Sequence, residues 1–160
     1  MFNDRLEQDR MKFSRILVPV TGTQADEEAV ELACGLAKQN KSQVHAIYII
    51  TLKRDLPLDA EIEPEIQKAE DILESMEEVA RKAGCRMDTE VLQAREAGPA
   101  IINEAVEREI DLILLGIAYK MRFGEFSLGE VVPYVLKNSP CRVILYQSSY
   151  TVPSTPYLAE

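Results

Sequence analysis

The chain has no tryptophan, one histidine and three cysteines, and its acidic side chains outnumber its basic ones. Each shortage removes a class of function. With His45 as the only imidazole, a histidine-built metal site or a Ser-His-Asp triad has too few parts. His45 falls inside an apolar run and is expected to be a hydrogen-bonded structural histidine. Cys34, Cys85 and Cys141 are odd in number and form no CxxC, the pattern of unpaired packing thiols in a reducing compartment. Against 27 Asp and Glu stand 18 Lys and Arg, a formal net charge of −9, which disfavours nucleic acid and anionic membrane as partners. No apolar run approaches the length of a membrane span, and the charged opening "MFNDRLEQDR" lacks the apolar stretch of a signal peptide. The cytoplasm is the expected location.

What is present alternates. "RILVPV" (15–20) reads as a strand buried on both faces, and "SQVHAIYII" (42–50), "RMDTEVLQA" (86–94), "DLILLG" (111–116) and "CRVILY" (141–146) as four more. The third alternates weakly, as a strand near an edge does. Between the strands lie helical patterns. Thr23-x-x-Asp26 has the form of a capping box, and Ala29, Val30, Ala33, Leu36 and Ala37 share a face behind it. Ala69, Ile72, Leu73, Met76, Val79, Ala80 and Ala83 recur at helical spacing and stop at Gly84, suited to follow a helix end. Gly98-Pro99 opens a third helix with Ile102, Ala105 and Val106 as its stripe. A fourth runs from about Glu130 to Asn138. Glu70, Glu74, Glu77 and Glu78 are expected on a solvated face, not in a metal site.

Strands separated by helices predict a single doubly wound α/β domain, its five-stranded sheet mainly parallel, with helices on both faces. In such sheets ligands sit beyond the strand carboxyl ends, where the strand order reverses. The expected organisation is an N-terminal extension or linker (1–12), a domain (13–147) and a Ser/Thr/Pro-rich tail (148–160).

The segments "ILVPV-x-G-T", "DLILLG" and "GEVVPYVLKNSPCRVIL" resemble the universal stress protein family over residues 13–147. The resemblance implies strand order 3-2-1-4-5, a cytoplasmic homodimer and, in one branch of the family, ATP at the strand ends. That branch carries an Asp after strand one and G-x2-G-x9-G-(S/T) after strand four. Here the glycine positions fall on Gly116, Tyr119 and Gly129, the hydroxyl position on Glu130 and the Asp position on Thr21. A tyrosine resists the close backbone approach that glycine gives a phosphate. Glu130 places a negative charge at a helix start, where it stabilises the helix by roughly 0.3–1 kcal/mol and repels phosphate. Pro133 removes a further backbone donor.

The candidate cofactor-binding residues are therefore Val20, Thr21, Ile49, Gly116, Ile117, Arg122, Gly129, Glu130 and Val131. An apolar adenine slot is expected between Val20, Ile49 and Gly116, and Lys120 and Arg122 are candidate anion contacts. The loop "YKMRFGEF" reads equally well as a solvated connection. No nucleophile elbow, Walker lysine or metal-ligand spacing appears, so no catalytic residue is assigned. Two functions compete. One is a dimeric regulatory or binding module with weak or no ATP binding. The other is a sensor of a small adenine nucleotide: AMP, adenosine or a cyclic nucleotide. The homodimer is expected through strand five, by Val143, Ile144, Leu145 and Tyr146, because a short apolar last strand lies at a sheet edge.

Overall fold

The structure, a computed structural model, describes residues 11–117, 120–122 and 125–148, the segments 120–122 and 125–127 by their backbone. In chain order the elements are β1 (Arg15–Pro19), α1 (Gln24–Asn40), β2 (Gln43–Thr51), α2 (Glu63–Lys82), β3 (Met87–Ala94), α3 (Ala97–Glu107) and β4 (Leu112–Ile117). β5 (Lys120–Arg122), β6 (Glu125–Ser127), α4 (Val131–Asn138) and β7 (Arg142–Gln147) follow. The main sheet has the order β3-β2-β1-β4-β7, and every pairing in it is parallel. Counting only its five strands, this is the order 3-2-1-4-5.

The sheet separates two apolar cores. On one face Ile16, Val18, Val44, Ala46, Leu112 and Leu114 pack with α1 and α2 through Val30, Ala33, Leu73 and Met76. On the other, Leu17, Ile47, Ile113 and Leu115 pack with Ile101 and Ala105 of α3 and Val132 and Val135 of α4. Successive residues of β1 and β4 thus serve opposite cores, which is why these strands are continuous aliphatic runs. Asp111 locks the start of β4 to β1: its Oδ2 accepts the Ser14 N–H at 2.7 Å and its Oδ1 the Arg15 N–H at 2.9 Å.

The local signals act as read. Asp26 N–H donates to Thr23 Oγ1 at 3.1 Å and Thr23 N–H to Asp26 Oδ2 at 3.2 Å, completing the capping box of α1. At the end of α2, Gly84 N–H donates to the Arg81 carbonyl and Cys85 N–H to the Ala80 carbonyl, both at 2.9 Å. These are the paired bonds of a Schellman turn. β3 and β7 are the two sheet edges, as expected of the weak third strand and the short last one.

Four expectations need correction. The stripe of α3 is Gly98, Ile101 and Ala105, while Val106 is 59% exposed. The buried face is turned by about one residue: Ile101 and Ala105 lie in the second core with Leu17 and Ile113, and Ile102 is half-buried against it. The segment after β4 is not all loop: β5 and β6 pair antiparallel, Met121 opposite Phe126. Glu77 is half-buried rather than solvated and accepts the Thr89 hydroxyl at 2.6 Å, tying α2 to β3. His45 is buried, but its Nδ1 has no hydrogen-bond partner among the described residues. The nearest carboxylate oxygen, Asp88 Oδ2, is 3.8 Å away.

Burial holds the His45 imidazole below its usual pKa, and Arg108 adds to the effect, partly offset by Asp88. Arg108 stays in place because it bonds to both Glu104 and Glu90. An unfolded chain binds a proton at His45 more readily than the folded one. His45 therefore contributes stability that is present above about pH 6.5 and is lost as the pH falls through that value toward the lower folded pKa. Urea unfolding between pH 7.5 and 5 should show this loss, and His45→Gln should have a shallower pH dependence than the wild type. Identical slopes would contradict the assignment.

Candidate functional site

Strand order reverses between β1 and β4, so the crevice that such sheets use for ligands opens beyond their carboxyl ends. The chain leaves β1 through Val20-Thr21-Gly22-Thr23 and enters α1. Val20 N–H donates to the Ile47 carbonyl at 2.9 Å, so the turn begins only after Val20. Gly22 then takes φ +102, a backbone conformation open to glycine and strained for other residues. The turn aims consecutive N–H groups at one point.

That point is occupied by Asp26. Its Oδ2 accepts the backbone N–H groups of Thr21 at 2.7 Å, Gly22 at 3.0 Å and Thr23 at 3.2 Å, with the Thr21 hydroxyl at 3.3 Å. The side chain comes from the first turn of α1, and the residue is 3% exposed. Converging amides beside a helix N-terminus are how proteins hold anions. Here the anion is a carboxylate of the same chain. Sequence reasoning read Asp26 as a capping residue and missed its second role. The signal was present: an aspartate at the third helical position, behind a Thr-Gly-Thr turn, can reach back over the loop.

Gly116 borders the same carboxylate. A Cβ built there would lie 2.7 Å from the Ala25 carbonyl oxygen and 2.9 Å from Asp26 Oδ1. The first turn of α1 thus sits directly against β4. Close packing of α1 accounts for this glycine without any ligand.

The other sequence-predicted residues are dispersed. Val20 is buried in the core beneath α1 and α2. Ile117 is buried in the core beneath α3 and α4, and Ile49 is half-buried against it. Val20 and Ile49 therefore serve opposite faces and do not form the two walls of an apolar slot. Gly129 takes φ +71, and Glu130 is the exposed N-cap of α4, making no capping bond through its side chain. Pro133 lies in the first turn, and Tyr134 N–H donates to the Glu130 carbonyl at 3.3 Å. Val131 is half-buried against the second core. Tyr119 lies outside the described residues, as do the side chains of Lys120 and Arg122.

A cleft of about 380 Å³ opens away from the switch point, at the end of β3, lined by Leu58, Leu92, Arg95, Pro99 and Asn103 among others. Gln93 and Arg95 hold its outer wall, bonding to the Leu58 and Lys53 carbonyls. Among the described residues no group of three or more His, Cys, Asp or Glu could hold a metal ion, and no helix is long and apolar enough to cross a membrane.

The fold defines a doubly wound α/β domain with its crevice at the switch point of the sheet. Residues 12–147 match the model of the universal stress protein family, and the chain belongs to that family. A universal stress protein of Methanocaldococcus jannaschii is 26% identical over 151 residues, covering 91% of this chain and 88% of the relative. A solved universal stress protein from Archaeoglobus fulgidus superposes with a TM-score of 0.71 at 20% identity, over 83% of this chain and 98% of the other. The universal stress protein from Archaeoglobus fulgidus in complex with dAMP gives 0.66 at 20% identity, over 85% and 99%. The family match bears out the resemblance read from the sequence.

Removing the Asp26 carboxylate leaves several loop donors unpaired near the core. Asp26→Ala should destabilise the fold by about 2–3 kcal/mol, whereas Asp71→Ala, on the exposed face of α2, should stay within about 0.5 kcal/mol. Chemical denaturation of both variants checks this. Equal stability of Asp26→Ala and wild type would show that the carboxylate is not held as described.

Proposed function

We propose that the chain is a universal-stress-type regulatory or binding module that works as a homodimer and binds ATP weakly or not at all. The observation that carries this reading is the Asp26 carboxylate on the amides of the β1–α1 turn. A phosphate placed there would compete with a covalently tethered anion and meet its charge. Glu130 adds a second carboxylate at the start of α4, where a phosphate would otherwise find free donors. Thr21 and Tyr119, in place of the aspartate and glycine of the ATP-binding branch, weigh the same way. The module acts by binding rather than catalysis, in the cytoplasm, within a domain spanning about 13–147.

Calorimetric titration with ATP tests this part. No saturable binding is expected at micromolar ligand, and submicromolar affinity would overturn the reading. A second reading retains a ligand without a triphosphate: AMP, adenosine or a cyclic nucleotide at the strand carboxyl ends. The dAMP complex of the related archaeal protein favours it. A thermal-shift series with these nucleotides separates the two. A true ligand at 100 times its dissociation constant stabilises by about 2.7 kcal/mol.

The homodimer rests on β7. It is a sheet edge, paired among the described residues only with β4. Val143 and Leu145 point to the α3–α4 face, Ile144 and Tyr146 to the α1–α2 face, and Leu145 is partly exposed. An apolar edge strand invites pairing with a second copy across a twofold axis. Sedimentation should find a dimer at micromolar concentration, and Ile144→Pro, which removes a ladder donor, should shift it toward monomer. A monomeric wild type would end the dimer proposal.

A further inference from the structure

Two cysteines pack against one core at a place remote from the switch-point crevice. Cys34 lies in α1 and is fully buried in the core beneath α1 and α2. Cys85, half-buried, packs against that same core. It directly follows Gly84, and the Schellman bond from its N–H to the Ala80 carbonyl fixes its backbone. This turn abuts α1 one helical turn beyond Cys34, since a Cβ on Gly84 would lie 3.0 Å from Lys38 Nζ. The thiol of Cys85 reaches the Arg86 carbonyl at 3.7 Å. Burial, then Cys85 itself, push the Cys34 thiol up to about 12, which disfavours its thiolate. Cys141 lies on the opposite face of the sheet, 3.6 Å from Ser139 Oγ.

We propose that Cys34 and Cys85 are a dithiol site for hydrogen peroxide, closing to an intramolecular disulfide that staples α1 to the end of α2. Cys85 is the first to react because it reaches solvent. Its thiolate attacks one peroxide oxygen. An S–O bond forms, the O–O bond breaks, and the leaving hydroxide takes a proton to become water. Cys34 Sγ then attacks the Cys85 sulfur of the sulfenic acid. The S–S bond forms, the S–O bond breaks, and hydroxide departs with the Cys34 proton as a second water. Two thiols lose two electrons to one hydrogen peroxide, the first leaving hydroxide takes the proton that the Cys85 thiol gave up, and two waters result. The staple joins segments far apart in sequence, which restricts the unfolded chain.

The test uses the full chain treated with hydrogen peroxide, quenched with acid, alkylated under denaturing conditions and digested without reductant. The expected product is a Cys34–Cys85 cross-linked peptide with Cys141 alkylated, and a higher thermal midpoint for oxidised than for reduced protein. Cys141→Ser should keep both results and Cys85→Ser should lose both. Peptide mapping of the wild type decides the matter even where a variant folds poorly. Recovery of Cys85 as sulfinic or sulfonic acid beside an alkylated Cys34 would overturn the proposal. So would a Cys85 cross-link between two molecules.

Discussion

The hold of one buried carboxylate on its own loop organises the switch point of this sheet. Asp26 Oδ2 gathers the N–H groups of Thr21, Gly22 and Thr23. The same residue closes the capping box that starts α1. Because the carboxylate comes from the first turn of α1, the helix is drawn against β4, and Gly116 is needed for that contact. One side chain thus fixes the exit of β1, the entry of α1 and the spacing to β4. The converging amides of the turn are here satisfied internally, and a buried carboxylate with several donors is not readily displaced.

The rest of the fold follows from the same arrangement of layers. The reversal of strand order puts α1 and α2 on one face and α3 and α4 on the other, with β1 and β4 supplying alternate residues to each core. The edges are left to β3 and β7, which differ in character. β3 carries Asp88 and Glu90, and Glu90 is tied to Arg108. These charges guard the edge. In β7 only Arg142 is charged, and it stacks over Phe13 at 5.7 Å. Among the described residues β7 pairs only with β4.

The sheet, its four covering helices and both edge strands were legible in the sequence, because aliphatic runs and helical spacing report burial directly. So were the cap at Thr23 and the stop at Gly84, whose chemistry is local. The misses share a cause: each depends on which distant group a side chain meets. Ile101 and Ile102, like Ala105 and Val106, differ by one position on α3, and only the facing sheet chooses between them. β5 and β6 are three residues each, too short for a period to show. Glu77 reads as solvated until Thr89 lies opposite it. For the candidate site, the departures from the ATP-binding pattern at Thr21, Tyr119 and Glu130 are read from the sequence itself. That Val20 and Ile49 serve opposite cores, and that Asp26 fills the turn, required the tertiary structure.

The claim that the crevice is internally occupied can be observed at the amides themselves. Proton–nitrogen spectra of the wild type should place the Thr21, Gly22 and Thr23 amide protons downfield, as charge-assisted bonds to a carboxylate require. Millimolar ATP should leave all three resonances where they are. Selective movement of these amides on adding ATP would mean that phosphate replaces Asp26, and would contradict the account.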